Sequence, residues 1–110
     1  MIIDFCVHPA VLWDIPSTLK ERVRQFYPLE YGRRLEFTEE ELLRGMDEAG
    51  VDIGVIRAQH SGGIGYAAPN EKVAALVKKY PDRLVALASV DPTEGKKAVD
   101  EFEKCINHRI

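Results

Sequence analysis

No stretch of this chain stays apolar for the roughly 20 residues needed to cross a bilayer. Its start also lacks the basic flank and apolar stretch of a secretion signal, because Met1 leads directly into Ile2 and Ile3 with an acid at Asp4. No membrane role and a cytoplasmic location are the resulting expectations. Cysteine is scarce: Cys6 and Cys105 are the two in the chain, and in a reducing compartment they are expected as thiols rather than as a bridge. A basic stripe is missing too. The 15 basic residues are outnumbered by 18 acidic ones, for a formal charge of -3, which repels nucleic acid and sets that partner aside. There is no low-complexity segment and no internal repeat. What remains is a chain of 110 residues, 45% hydrophobic and 30% charged, with the composition of a soluble globular protein and room for one domain and one core.

Within that domain, apolar runs alternate with segments of helical period. The first run ends in Asp4-Phe5-Cys6-Val7-His8-Pro9. Ser17 or Thr18 then offers a helix start, with Leu19, Val23, Phe26 and Tyr27 at helical spacing and a stop at Pro28. Thr38 followed by Glu41 is a capping box, and the acids there suit the positive end of a helix dipole. Leu42, Leu43, Met46 and Ala49 give that helix one apolar face, and Gly50 closes it. Residues 51–57 read as a buried β-branched strand. Asn70 is expected to cap the next helix, with Val73, Ala74, Leu76, Val77 and Tyr80 inward. A second continuous apolar strand covers 84–90. Asp91 and Pro92 then open a last helix with Ala98, Val99, Phe102 and Ile106 expected to face inward and Cys105 to pack.

Strands apolar along their length, alternating with helices, imply an α/β protein of parallel three-stranded βα units. In such sheets ligand-binding groups collect at the carboxyl ends of the strands. That rule selects Cys6 and His8 after the first strand, Arg57, Gln59 and His60 after the second, and Asp91 after the third. Cys6 and His8 lie two apart, so a regular strand aims both to one side. Thiolate and imidazole both suit zinc, with His60 and Asp91 as conjectural further ligands. The competing reading makes Cys6 a small buried hydrophobe and His8 a hydrogen-bonded turn residue. Activation of Cys6 as a nucleophile by His8 fits less well, since roots two apart on a strand are roughly 6–7 Å apart. Arg57 can hold a substrate carboxylate in a forked pair or an acid on a neighbouring helix. Trp13 can wall an apolar pocket or join the core. The glycines at 63 and 65 match a dinucleotide fingerprint only loosely, because Pro69 separates them from the helix start.

The segment Ile3-Asp4-Phe5-Cys6-Val7-His8-Pro9 resembles the opening of amidohydrolase-related metal-dependent enzymes, whose first barrel strand ends in a His-x-His pair preceded by an acid. Met46-Asp47-Glu48-Ala49-Gly50-Val51-Asp52 is similar to the helix-to-strand step of that family, and Lys79-Tyr80-Pro81-Asp82-Arg83-Leu84 with Ala88-Ser89-Val90-Asp91-Pro92 is similar to its next unit. The resemblance implies a TIM-like barrel, one divalent metal, and hydrolysis, decarboxylation or hydration of small organic acids, lactones or amides. His8 matches the family's second histidine, and Cys6 occupies the place of the first. A closed barrel of this type takes about 250 residues, so this chain supplies only three strands of a partial one.

Two functions are therefore expected. One is a metal-dependent hydrolase or lyase for a small-molecule substrate, incomplete as an isolated chain, with Cys6 and His8 on zinc and Arg57, His60 and Trp13 at the substrate. The other is a non-catalytic, truncated barrel fragment that serves as a self-assembling or binding module. Three parallel strands leave a sheet edge and an apolar face uncovered, so the chain is expected to form a homo-oligomer.

Overall fold

A computed structural model describes residues 1–8, 17–26, 38–60 and 68–107. Its elements run β1 (Ile3–Val7), α1 (Ser17–Phe26), α2 (Glu39–Glu48), β2 (Ile53–Arg57), α3 (Asn70–Lys79), β3 (Leu84–Leu87), a 3-10 turn (Pro92–Glu94) and α4 (Lys96–Asn107). The expected order of strands and helices holds. Strands β2 and β3 are shorter than the apolar runs that announce them.

Local chemistry accounts for the boundaries of α2. The Thr38 hydroxyl accepts the Glu41 N–H at 3.1 Å, and the Glu41 carboxylate accepts the Thr38 N–H at 2.8 Å, completing the capping box. At the other end Gly50 takes φ +68°, its N–H reaches the Asp47 carbonyl, and the Val51 N–H reaches the Met46 carbonyl at 2.8 Å. That pair of bonds is a Schellman motif, which needs a left-handed residue and so favours glycine. The chain turns there directly into β2.

The sheet has the order β1-β2-β3, with both pairs parallel, and it is open. Register divides its residues between two faces. Gly54 pairs with Leu84 and Ile56 with Ala86, while Val7 pairs with Ile56. These positions, with Ala58, Ala68, Met46 of α2 and Val73 and Leu76 of α3, build the core. Paired residues of parallel strands share a face, so the opposite face carries Ile3, Ile53, Val55, Val85, Arg57 and Leu87. Ile3, Val85 and Leu87 are exposed there.

Three expectations about the helices are corrected. Asn70 is the first residue of α3, not its cap; Pro69 holds the cap position without a side-chain bond. Asp91 caps the 3-10 turn rather than the long helix, and Gly95, at φ +57°, separates that turn from α4. On α4, Ala98 and Cys105 are buried, whereas Val99, Phe102 and Ile106 are each more than half exposed. The inward stripe is narrower than apolarity alone suggests because α4 meets the rest of the chain along its Ala98–Cys105 side. Asn70 and Glu101 make a polar seam there.

Candidate functional site

The end of β1 is irregular. Between Asp4 and Val7 the strand advances three residues while β2 advances only two, from Gly54 to Ile56. Phe5 and Cys6 therefore share the single opposing position of Val55, as in a β-bulge. The Asp4 carboxylate accepts the Cys6 N–H at 2.9 Å, which supplies a partner where the ladder is interrupted. Val7 then returns to the core at 7% exposure, and Cys6 and His8 on either side of it are both exposed. Alternation about Val7 assigns Cys6 and His8 to the face that α2 and α3 leave open. Arg57, at the end of the neighbouring strand and in register with Leu87, belongs to that face too and is exposed.

His60 sits elsewhere. It lines an open cleft of about 440 Å³ beyond β2 and β3, together with Gln59, Asn70, Ser89, Glu94 and Lys97, and its Nε2 lies 3.6 Å from the Glu94 carboxylate. Asp91 is committed to its turn: its Oδ1 accepts the Thr93 hydroxyl at 2.6 Å and the Thr93 N–H at 2.9 Å. Those two bonds hold the Asp91 carboxyl below its ordinary range, with a smaller contribution from His60. Neither residue joins the pair on β1. Among the described residues no group of three or more His, Cys, Asp or Glu gathers to hold a metal. Trp13 lies outside the described residues, as do the glycines at 63 and 65.

Two residues whose tertiary partners pattern reading does not show tie down the two ends of the sheet. Asn70, 7% exposed, donates from Nδ2 to the Ser89 carbonyl at 2.9 Å and to Glu101 at 3.0 Å, and accepts the Ser89 N–H at 2.9 Å. That donation holds the Glu101 carboxyl below its ordinary value, against the opposing effect of burial. An asparagine at a helix start reads as a cap from sequence, and only the strand end that it meets reveals the second role. At the opposite, amino end, Arg83 reaches the Asp47 carboxylate at 2.7 Å and the carbonyls of Asp52 and Val51 at 3.0 and 3.1 Å. A wider cleft of about 700 Å³ opens beside it. Arg83 ties loops together there, at the end of a parallel sheet that seldom carries chemistry.

The arrangement can do two things. It presents a thiol, an imidazole and a guanidinium on one sheet face, and it forms a separate cleft beyond β2 and β3, lined largely by polar and charged residues. A structural zinc ion takes four protein ligands and a catalytic one usually three, so the two donors on β1 do not by themselves complete a shell within the described part of one chain. Compared with known proteins, the chain matches no family model, no curated protein and no solved structure.

Proposed function

We propose that this chain provides the amino-terminal βα units of a metal-dependent hydrolase or lyase of the amidohydrolase-related type, acting on small organic acids, lactones or amides in the cytoplasm. In this reading Cys6 and His8 are ligands to a divalent metal, zinc by the softness of a thiolate. Arg57 binds the substrate's carboxylate in a forked pair, and His60 lies on the substrate side of the strand ends, with Trp13 as a wall. The observation that carries the reading is the register that sets Cys6, His8 and Arg57 on one exposed face at the carboxyl ends of adjacent parallel strands. The incomplete ligand set implies that working sites need groups beyond this pair. Metal content after purification tests the reading: bound zinc that disappears in Cys6→Ala and in His8→Ala supports it, and metal-free protein with both residues intact refutes it.

One observation favours a second reading, a binding or assembling module without catalysis. Phe5, Val85 and Leu87 expose large apolar side chains on the open sheet face, where a soluble protein ordinarily covers them. Failure of the chain to hydrolyse or decarboxylate a panel of lactones, amides and carboxylic acids while it self-associates would favour this alternative.

A further inference from the structure

The last helix carries an apolar stripe that is more than half uncovered. Val99, Phe102 and Ile106 are 54%, 51% and 59% exposed, while the buried Ala98 and Cys105 mark the side on which α4 is already docked. Steps of three and four residues put the three side chains on one helix face, in the a, d and a positions of a heptad seam. We propose that this stripe is a contact between two copies of the chain, which pair their α4 helices antiparallel about a two-fold axis. The contact extends the assembling reading to a surface other than the open sheet face, and it depends on neither Cys6 nor His8.

The charges beside the seam select the occupant and the register. Positions that flank a and d carry the ion pairs that set the orientation of paired helices. On the side of the seam away from Ala98 and Cys105 these are Lys96 and Glu103, both exposed. When Val99 of each copy packs against Phe102 of the other, Lys96 of each faces Glu103 of the other, so two opposite-charge pairs form at once. Ile106 then lies over Gly95 of the other copy, where a Cβ would meet nothing within 4 Å. Sliding the helices by one heptad to set Phe102 on Ile106 brings the two Glu103 side chains together, a like-charge contact. A parallel pair sets Glu103 beside the uncharged Ala98 and gains no ion pair. Lys96 holds Asp100 of its own helix at 2.7 Å, and its ammonium has three donors with which to hold both acids.

The size of the patch fits a reversible contact. The exposed parts of the three side chains amount to on the order of 300 Å² of apolar surface per copy, and interfaces are a little over half apolar, so about 500 Å² is covered on each side. A total of about 1,000 Å² lies at the low end for specific contacts. An isologous pair uses the same stripe on both copies and therefore closes at two.

Analytical ultracentrifugation over a range of concentrations, at low salt and with a chelator present, tests the contact. The chelator keeps metal out of the result, so the outcome is separate from that of the zinc measurement. A monomer of 12.4 kDa in exchange with a dimer is expected, and Phe102→Glu is expected to leave monomer at every concentration. Lys96→Glu and Glu103→Lys, both at exposed positions, are each expected to weaken the dimer about tenfold, as two attractions become two repulsions. Mixed in equal amounts, these two variants are expected to pair with each other as tightly as the unaltered chain does, because every charge then meets its opposite. Mixing does not repair a folding defect, so recovery reads the register alone. A mixture that stays as weak as its components would overturn the proposal, as would an unaltered chain that remains monomeric throughout. A dimer kept in Phe102→Glu and lost in Phe5→Glu would overturn it too, and assign assembly to the sheet face.

Discussion

The side-chain amide of Asn70 pairs with both backbone groups of Ser89, donating to its carbonyl and accepting from its N–H, each at 2.9 Å. A helix start is thereby fastened to the segment that follows β3, nineteen residues further on. The remaining amide hydrogen goes to Glu101 on α4. One buried side chain thus holds three elements at the carboxyl end of the sheet.

Replacing Asn70 by alanine strands the Ser89 N–H, the Ser89 carbonyl and one Glu101 oxygen in a part-buried place. Leaving buried polar groups unpaired costs about 1–3 kcal/mol. Asn70→Ala is expected to lower the free energy of unfolding by that amount, read as a lower urea midpoint with little change in slope. Asn70→Asp is expected to be worse near neutral pH, since a carboxylate there faces Glu101 and a carbonyl. An unchanged midpoint in Asn70→Ala would show that this seam adds nothing to the fold.

The same contact sets a pH dependence. The Glu101 carboxyl is held below its ordinary value of 4.5, chiefly by the Asn70 amide. A carboxyl depressed in the folded state favours folding above its unfolded value, and that contribution fades as pH falls through the folded one. Stability should therefore drop on acidification below about pH 4.5. Part of the drop should vanish in Glu101→Gln, whose carbonyl oxygen still accepts from Asn70. Glu39, lowered by its hydrogen bond to Lys79, and Asp91, lowered by Thr93, keep their share of the slope in that variant. Thermal unfolding of both proteins between pH 3 and 7 reads the difference; parallel curves would remove Glu101 from the account.

Gly54 lies where no side chain fits. A Cβ there would stand 2.9 Å from Val7 Cγ2 and 3.2 Å from the Met46 methyl. Met46 is flexible and can yield, but Val7 is branched and held in β1. Gly54→Ala is expected to destabilise by about 1–3 kcal/mol through overpacking. Shortening the obstacle tests the cause. In Val7→Ala/Gly54→Ala the two effects should sum to less than their separate values, the signature of residues that compete for one space. Strict additivity in denaturant midpoints would assign the loss to something other than this contact.

Much of this architecture was legible because it is local or periodic. Thr38 and Glu41 sit three apart and close a capping box whatever lies beyond them, and Gly50 stops the helix for reasons contained in the six residues from Met46 to Val51. The parallel strands follow from apolar runs that alternate with helices. What escaped depends on distant partners. Asn70 has the composition of a cap and the position of one, yet Ser89 and Glu101 claim its amide. Val99, Phe102 and Ile106 have the spacing of a core stripe, but α4 docks along Ala98 and Cys105 instead. The bulge at the end of β1 has no mark in the sequence either. It alters the route by which Cys6 reaches its face, because a regular strand would oppose one residue, not two, to Val55.

The two thiols differ in a way that bears on the candidate site. Cys105 is 2% exposed, and burial, aided by the nearby Glu101 carboxylate, pushes its pKa up. Cys6 is exposed. The thiolate is the reactive form and access governs the rest, so a thiol reagent at pH 8 should modify Cys6 at least about tenfold faster than Cys105. Cys105 should react at the rate at which the fold opens and respond to urea, whereas Cys6 should not. Zinc then offers a further distinction. If the thiolate of Cys6 is a ligand, saturating zinc slows its modification and leaves that of Cys105 unchanged, and His8→Ala restores the fast rate. Modification of Cys6 at the same rate with and without zinc would remove the sulfur from any metal site.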